Sequence, residues 1–262
     1  MKARLSTSEF VHYRRLGFVV KEQVFSPVQL NALRAAADAA VAQARDMVRA
    51  EDARSYVLDG NRFVDVGHIT VQFEHHAQAQ DVRVIEPVHE LHAAFERLVD
   101  DARLVQPMCQ LVGVDRVSLW TAKLNVKGPQ RGSGFAWHQD SPYWIHDNHD
   151  VERLPNVMLN FDDSCVANGC LRLIPASHKL GMLPGCSDAR QLAGFYTDPA
   201  CFDDNDQVAV EVPAGSLVFF DPLVVHGSSA NTSKRPRRGI ILTYQPADRP
   251  TLKRGNVRNA DS

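Results

Sequence analysis

The sequence lacks the features that mark membrane, secreted and nucleic-acid-binding proteins. It has no run of about eighteen consecutive apolar residues, so no membrane-spanning helix is predicted. Residues 1–18 contain neither the apolar stretch nor the small-residue cleavage site of a secretory signal. Basic and acidic residues almost balance at a formal net charge of −2, so the chain has no general attraction for a polyanion or an anionic membrane surface. We therefore expect neither nucleic acid nor a membrane among its partners.

Cysteine is also scarce, and its spacing argues against disulfides and structural zinc. The chain has five cysteines, an odd number, and no two of them form a C-x-x-C pair. Cys165 and Cys170 lie close together but lack further soft ligands nearby, so zinc binding is not expected. Reduced thiols of this kind are typical of cytoplasmic proteins, and we predict a cytoplasmic location. No pattern in the sequence indicates the oligomeric state.

What the sequence does contain is the composition of an ordinary globular protein. Apolar residues make up 44% and charged residues 23% of the 262 residues, which is enough for a sizeable core. We expect one domain over residues 1–262, with a helix-rich N-terminal part at 1–113 and a β-rich core at 114–246. In the N-terminal part, Ser6 is followed three residues later by a glutamate, as in a capping box, and Ser26 precedes a proline that opens a second predicted helix.

The core is predicted to be a mainly β jelly roll, or double-stranded β-helix, with the N-terminal helices packed on its major sheet. Short runs rich in Val, Leu, Ile and Phe are separated by turn signals, which is typical of such folds. The runs are Val117–Val126, Asn156–Phe161, Cys170–Ile174, Val208–Val212, Ser216–Phe220 and Gly239–Tyr244. Asn168-Gly169, between two of them, predicts a hairpin turn. We expect Asp52–Gly60 and Ser141–Leu154 to be loops that shape a substrate pocket.

The candidate metal site consists of His138, Asp140 and His226. Residues i and i+2 of a strand face the same side, so His138 and Asp140 can both point into a barrel. A histidine from a later strand then completes one triangular face of an octahedral site. Two imidazoles and one carboxylate that leave the other positions open form the ligand set of non-haem Fe(II) oxygenases.

The residues after His226 strengthen this hypothesis. Arg237 stands at the opening of the apolar run at 239–244, so its guanidinium can reach inward beside the metal. An arginine in such a position is suited to a bidentate grip on a carboxylate. Arg235 and Arg238, by contrast, are expected on a solvated basic rim.

Four motifs extend this pattern over nearly half of the chain. They are WHQD at 137–140, NGCLRLIPASHK at 168–179, PAGSLVFFDPLVVHGSSANTS at 213–233 and PRR at 236–238. Through them the sequence resembles the phytanoyl-CoA dioxygenase family of Fe(II)/2-oxoglutarate oxygenases, which includes ectoine-hydroxylase-like enzymes. The resemblance runs from about Leu119 to Tyr244. It implies a jelly-roll dioxygenase that uses Fe(II), the cosubstrate 2-oxoglutarate and O2.

The resemblance also implies roles for single residues. His138, Asp140 and His226 match the iron ligands of the family. Arg237 matches the arginine that binds the distal carboxylate of 2-oxoglutarate, and Ser228 matches the hydroxyl that assists it.

Further positions belong to the expected pocket. Asn125 looks like the family's amide contact to the cosubstrate. Gln139 is also expected at the cosubstrate site, and Met158 in the pocket wall. Lys123 and Trp144 are the candidates for contact with the primary substrate.

The implied reaction is hydroxylation of an unactivated C–H bond in a small organic molecule, with succinate and CO2 as co-products. The carboxylate of Asp140 favours hydroxylation over halogenation and leaves desaturation or ring chemistry open. Two alternatives also remain: a cupin-type metal enzyme that uses no 2-oxoglutarate, and a catalytically silent homologue that only binds ligand. A long acyl-CoA substrate would require basic residues such as Lys127, Arg131 and Lys234. A polar metabolite would be served by Lys123 and the aromatic residues near the metal motif.

Overall fold

The computed structural model describes residues 3–75 and 79–261. In that part of the chain, all the α-helices lie before residue 113. They are α1 Thr7–Leu16, α2 Pro27–Met47, α3 Ala93–Val99 and α4 Ala102–Val112. The first two begin as predicted, because the side chains of Ser6 and Ser26 accept hydrogen bonds from free backbone N–H groups of the first turn.

The strands of the described ranges form two antiparallel sheets. In chain order they are β1 Phe18–Lys21, β2 Arg54–Leu58, β3 Asn61–Val66, β4 Ile69–Phe73, β5 Val82–Glu86, β6 Val117–Lys127, β7 Phe135–His138, β8 Asn156–Asn160, β9 Leu171–Leu173, β10 Val208–Ala209, β11 Leu217–Phe220, β12 His226–Ser228 and β13 Arg237–Pro246. The major sheet has the order β1-β11-β8-β13-β6-β5-β4-β3-β2, and the minor sheet has the order β10-β9-β12-β7. This arrangement agrees with the predicted jelly roll.

The helices cover one face of the major sheet. Leu30 and Leu33 of α2 belong to one buried apolar cluster with Leu124 of β6 and Leu242 of β13. Because side chains alternate along a strand, intervening residues such as Lys123 face the opposite side. The major sheet therefore has an apolar face packed on the helices and a second face turned toward the minor sheet.

A smaller apolar cluster fills part of the space between the two sheets. Its buried members are Phe18, Met158, Leu171, Leu173, Val210, Val212, Val218, Phe220 and Val224. Met158 and Leu171 also line the cavity that lies between the sheets. The packed core therefore borders the cavity directly.

The predicted strands of the second half are found with small changes of boundary. The strand predicted at Val117–Val126 extends to Lys127, and the one predicted at Gly239–Tyr244 begins at Arg237. The run Val208–Val212 contains a strand at Val208–Ala209 only.

Two local predictions were wrong. Asp52–Gly60 is not a loop, because Arg54–Leu58 pairs with β3 and the turn is made by Asp59 and Gly60, both at positive φ. Asn168-Gly169 is not a two-residue hairpin turn. There, a single turn of 3-10 helix ends at Gly169, and the strands on either side of it lie in different sheets.

No helix in the described ranges combines the length and the apolar character that crossing a bilayer requires. The N-terminal part contributes five strands to the major sheet in addition to its helices. The assignment of residues 1–262 to one domain, divided near residue 113, stays a prediction.

Candidate active site

Two histidines lie side by side on neighbouring strands of the minor sheet. His138 ends β7 and His226 begins β12, and the two are register partners with ring centroids 4.2 Å apart. The Nδ1 atom of His138 donates to the carbonyl oxygen of Ala136 at 2.7 Å, and that of His226 donates to the carbonyl oxygen of Val224 at 2.9 Å. Because a carbonyl only accepts, each ring carries its proton on Nδ1 and keeps the Nε2 lone pair free for a metal.

Asp140 completes the triad. Its carboxylate oxygens lie 3.9 Å from Nε2 of His138 and 3.7 Å from Nε2 of His226. The predicted reason for its position was wrong in detail, because β7 ends at His138 and Asp140 already has helical backbone angles. The turn is fixed instead by the backbone N–H of Asp140, which donates to the carbonyl oxygen of Pro222 at 2.9 Å.

A second layer of hydrogen bonds orients the carboxylate. The side-chain amide of Asn156 donates to Asp140 Oδ2 at 2.8 Å, and the hydroxyl of Thr243 donates to Asn156 Oδ1 at 2.5 Å. Asn156 is on β8 and Thr243 is on β13, so two strands of the major sheet hold a ligand that faces the minor sheet. Partners of this kind commonly tune metal affinity.

The donor set fits a divalent iron ion. The ligand atoms of His138, Asp140 and His226 all lie within 4.8 Å of one another. Burial, with the charge of His226 acting in the same direction, lowers the pKa of His138 to about 3. Burial acts against ionisation of Asp140, but the charges of His226, Lys123 and His138 and the hydrogen bond from Asn156 together outweigh it and hold the pKa of this carboxyl below its usual value. Neutral imidazole and ionised carboxylate are the forms that bind a metal.

Arg237 is a buried cation with unused hydrogen-bonding capacity. Its side chain is 5% exposed, lines the same cavity as the triad, and has Nε and Nη1 without hydrogen-bond partners among the described residues. Burial lowers the pKa of Arg237 to about 10, so the guanidinium is still charged at neutral pH. Such a group favours an anionic ligand, because an unpaired buried charge is costly. The site therefore also fits the carboxylate of 2-oxoglutarate.

Ser228 lines the cavity and is held by Lys127, which was considered above only as a basic residue for an acyl-CoA substrate. The Nζ atom of Lys127 donates to Ser228 Oγ at 2.9 Å and also to the carbonyl oxygen of Ser229. Lys127 is 1% exposed and is the register partner of Arg237. Its alternation with Lys123 and Asn125 along β6 is the signal that points to this role.

The cavity has a volume of about 960 Å³ and brings together most of the predicted site residues. Asn125, Met158, Lys123 and Trp144 all line it. The Lys123 ammonium lies 3.9 Å from the Glu86 carboxylate and 5.2 Å from the centre of the Trp144 ring. Lys123 and Trp144 thus form one wall near the metal triad.

The prediction for Gln139 was wrong. Its side-chain amide donates to the carbonyl oxygens of Gly181 and Leu223 at 2.9 and 2.6 Å and accepts from the backbone N–H of Leu183 at 2.8 Å. Gln139 is fully buried and is not among the residues that line the cavity. Since it lies between two ligands that face the cavity, its own side chain points away and ties neighbouring loops together.

The opposite wall comes from the N-terminal part and from one later loop. Tyr56 and Phe63, from β2 and β3, line the cavity with their rings stacked at 5.3 Å. Backbone N–H groups of Gln191 and Leu192 donate to the Asp59 carboxylate at 2.8 and 2.7 Å, which ties the later loop to the turn between these strands. Residues 52–60 were predicted to lie near the pocket, but these contacts have no signal in the sequence, because they join segments that are distant in the chain.

The fold and the site together define a class of protein: a jelly roll whose cavity presents two histidines and a carboxylate, the ligand set of the non-haem iron oxygenases. The profile of the Phytanoyl-CoA dioxygenase (PhyH) family matches residues 13–239, and the chain belongs to this family. The family, fold class and dioxygenase class that the sequence predicts are confirmed by this match and by the relatives.

The chain is similar to ectoine dioxygenases and to a proline hydroxylase. It is 29% identical over 195 residues to the ectoine dioxygenase of Streptomyces avermitilis, a match that covers 67% of this chain and 64% of that protein. It is 28% identical over 257 residues to the ectoine dioxygenase of Halomonas elongata, with coverage of 93% and 71%. It is 29% identical over 180 residues to the L-proline trans-4-hydroxylase of Streptomyces griseoviridis, with coverage of 62% and 67%. The match thus spans slightly less than two thirds of the S. avermitilis protein.

Solved structures show the same fold. EctD from S. alaskensis with 2-oxoglutarate and 5-hydroxyectoine superposes with a TM-score of 0.72 at 24% identity, covering 96% of this chain and 80% of EctD. EctD with bound Fe gives a TM-score of 0.69 at 25% identity, covering 95% and 79%. The carbocyclase SnoK from nogalamycin biosynthesis gives 0.63 at 22% identity, covering 93% and 85%. The 2-oxoglutarate in one EctD structure and the Fe in the other agree with the cofactors predicted from the sequence.

Proposed function

We propose that the protein hydroxylates an unactivated C–H bond of a small organic molecule, using Fe(II), 2-oxoglutarate and O2 and releasing succinate and CO2. The observation that carries this proposal is the buried guanidinium of Arg237, which forms no ion pair with any residue that the structure describes and shares one cavity with the His138, Asp140 and His226 triad. A metal site alone would serve many reactions. A metal site with a buried, unpaired cation beside it favours a cosubstrate that carries a second carboxylate.

Each residue of the site has a task in this reaction. The triad holds the iron, which together with 2-oxoglutarate supplies the oxidising chemistry. Arg237 binds the distal carboxylate of the cosubstrate. Because the oxygen of Ser228 accepts a hydrogen bond from Lys127, the Ser228 hydroxyl is left to donate a hydrogen bond to that carboxylate.

The pocket walls orient the substrate and limit the access of water. The Trp144 side chain is 2% exposed and packs edge-on against Trp120 at 6.3 Å, so the wall it forms is rigid. Asn125 reaches the cavity from β6 and is proposed to contact the cosubstrate. Exclusion of water favours oxidation of the substrate over side reactions.

Two alternatives to this function, a cupin-type enzyme and a catalytically silent homologue, are each disfavoured by a feature of the site. A cupin-type enzyme without 2-oxoglutarate has no use for the buried charge of Arg237, which disfavours that alternative. A catalytically silent homologue is disfavoured by the complete triad. Of the basic residues considered for an acyl-CoA, Arg131 is exposed beside Asp81, Lys234 is exposed and Lys127 is buried behind Ser228. None of the three forms a phosphate site, so we propose a small polar substrate.

The proposal is tested by succinate release. Purified protein is incubated with Fe(II), 2-oxoglutarate and air, with and without a panel of polar metabolites. The substitution Arg237→Gln should raise the KM for 2-oxoglutarate by about tenfold to a hundredfold, because it removes a charge-assisted hydrogen-bonded pair. Arg235→Gln is the matched control, since Arg235 is exposed two residues away. An unchanged KM in the Arg237 variant would refute the cosubstrate assignment.

The remaining expectations are also proposals. We propose that the chain acts in the cytoplasm on a small molecule, with neither nucleic acid nor a membrane as partner. The balanced net charge and the five free cysteines support this.

A further inference from the structure

A second arginine is directed into the cavity by an irregularity of the major sheet. On β4, Gln72 pairs with Val84 and Phe73 pairs with Val82, so Arg83 is the extra residue of a β-bulge on β5. A bulge interrupts the alternation of side chains and re-aims one of them. As a result, Arg83 and Val84 are consecutive in the sequence and both line the cavity.

In the described part of the chain, the surroundings of Arg83 leave its positive charge without an ion-pair partner. The guanidinium lies 3.7 Å from the centre of the Phe135 ring, and its Nη2 donates to the carbonyl oxygen of Gly134 at 2.5 Å. Nη1 contacts the ring of His75, and Nε is buried without a hydrogen-bond partner. Among the described residues, no carboxylate forms an ion pair with Arg83, whose side chain is 6% exposed.

This environment has the character of a binding site for an anion. Burial lowers the pKa of Arg83 to about 10, with Glu74 acting in the opposite direction, so the guanidinium is protonated at neutral pH. A buried charge without a partner is unfavourable, and a cavity that contains one is prepared for a ligand of opposite sign. Arg237 is likewise a buried cation with unused hydrogen-bonding capacity. The proposed cosubstrate has two carboxylates, however, and only the one distal to the metal is available for an arginine. Arg83 therefore requires a different anion.

We propose that Arg83 binds a carboxylate of the primary substrate, an inference that rests on the proposed function of the site. A monoanion fits better than a phosphate, because Nε is the only nitrogen of the Arg83 guanidinium without a hydrogen-bond partner among the described residues, and the cavity wall also carries Glu86 and Asp59. Phe135 lies three residues before His138 on β7, which is about 10 Å along a strand. The substrate carboxylate is thus held roughly one small molecule's length from the metal.

The aromatic side chains of the cavity complete this assignment. The rings of Tyr143 and Phe195 stack at 4.6 Å, and both line the cavity with Phe135. They provide apolar surface for the carbon skeleton between the carboxylate and the metal. The substrate class is therefore a small monocarboxylic acid with an apolar or ring-shaped body.

The first test needs no mutation. Wild-type protein loaded with Zn(II) and 2-oxoglutarate, which gives no turnover, is titrated with benzoate and benzamide, phenylacetate and phenylacetamide, L-proline and L-prolinamide, and phenylphosphonate. At least one acid should bind about tenfold or more tightly than its amide, because only the acid offers a charge-assisted bond. Equal Kd values within every pair, or binding of the phosphonate alone, would overturn the proposal.

The second test asks whether Arg83 is the group that distinguishes acid from amide. Arg83→Gln should lose the preference for acids without weakening the binding of 2-oxoglutarate, whereas Arg83→Lys should retain part of the preference. Arg62→Gln is the matched control, since Arg62 also stacks on a phenylalanine, at 4.1 Å, but lies on β3, two strands away from Arg83 in the same sheet, and does not line the cavity. A preference that survives in Arg83→Gln, or a loss of 2-oxoglutarate binding as large as in Arg237→Gln, would contradict the assignment.

The two tests keep failure of this inference separate from failure of the proposed function. If the function is wrong, wild-type protein binds no 2-oxoglutarate and releases no succinate. If only the inference is wrong, both are present and the acids show no advantage. Should Arg83→Gln not fold, the comparison of acids with amides in the wild-type protein decides alone.

Discussion

At the scale of single residues, the site depends on hydrogen bonds that determine which atoms remain available. Backbone carbonyls accept hydrogen bonds from Nδ1 of His138 and His226, and the side-chain amide of Asn156 donates a hydrogen bond to Asp140. What is left is one imidazole nitrogen from each histidine and the remaining carboxylate capacity, all directed toward one point. The metal affinity should therefore respond to residues that never touch the metal.

Asn156 is the clearest of these residues. Asn156→Leu should weaken metal binding by about tenfold to a hundredfold, because the carboxylate of Asp140 loses the donor that orients it. Thr243→Val should have a smaller effect in the same direction, since it frees Asn156 without removing it. The Kd for Co(II) or Fe(II), measured anaerobically by calorimetry, checks both, with Asn205→Leu in an exposed turn as the control. A folded Asn156 variant with unchanged metal affinity would contradict this interpretation.

The lowered pKa of the buried Lys127 leads us to predict that cosubstrate binding depends on pH. Burial, reinforced by Arg237 and Arg83, lowers the pKa of Lys127 to about 7. A carboxylate bound at Ser228 raises that pKa, so binding takes up a proton above pH 7, and the affinity for 2-oxoglutarate should fall as the pH rises through about 7 to 9. Lys127→Met should remove this slope, while Lys234→Met should keep it. Calorimetric Kd values between pH 6.5 and 9 are the measurement, and an affinity that rises with pH would refute the prediction.

The residue scale also shows why some site positions can be read from the sequence and others cannot. The triad and Arg237 were identified because their spacing matches a family pattern. Gln139 was misassigned because its side chain bonds the backbone of Gly181, Leu223 and Leu183, and no local pattern in the sequence signals these contacts. Lys127 has a sequence signal in its alternation with Asn125. Arg83 has none, because it reaches the cavity only through a bulge, which is a property of strand pairing.

At the scale of elements, the turn between β2 and β3 links the N-terminal part to the loop over the cavity. Asp59 and Gly60 adopt the positive φ angles of a tight hairpin turn, and the Asp59 carboxylate then accepts from two backbone N–H groups of the later loop. These hydrogen bonds connect segments more than 130 residues apart. The turn therefore positions one wall of the cavity.

Asp59→Ala should loosen this wall without unfolding the protein. The amides of Gln191 and Leu192 lose their acceptor, so their hydrogen exchange should accelerate by about tenfold or more, while exchange in the β-sheets stays unchanged. Asp188→Ala is the matched control, since Asp188 pairs with Arg190 inside the same loop and makes no link to the turn. Exchange followed by mass spectrometry checks the result, and equal rates in the two variants would show that Asp59 does not hold the loop.

Elements with a strong local pattern were predicted well, and elements defined by their partners were not. The helices at Ser6 and Ser26 and the strands of the second half have caps or apolar runs of their own. The strand at 54–58 is mostly exposed, so only its pairing with β3 makes it a strand. Asn168-Gly169 has the composition of a hairpin turn, but the chain uses it to cross between sheets.

At the scale of the whole molecule, the site joins the two sheets. His138 and His226 belong to the minor sheet, whereas Asn156, Thr243 and Arg237 belong to the major sheet. Ligands bound between them therefore stabilise the contact between the sheets as well as their own pockets. If residues 1–262 form one domain, as predicted, that stabilisation should appear in the unfolding of the whole chain.

Thermal unfolding tests this coupling. A ligand at a hundred times its Kd adds about 2.7 kcal/mol to the free energy of unfolding, and a domain of this size gains roughly 2–4 °C per kcal/mol. Zn(II) and then 2-oxoglutarate should each raise the Tm by about 5–10 °C, in a single transition. Arg237→Gln should lose the second increment only, and His226→Ala should lose both, because the cosubstrate is bound in part through the metal. Two separate transitions, of which only one responds to the ligands, would show that the chain does not unfold as one domain.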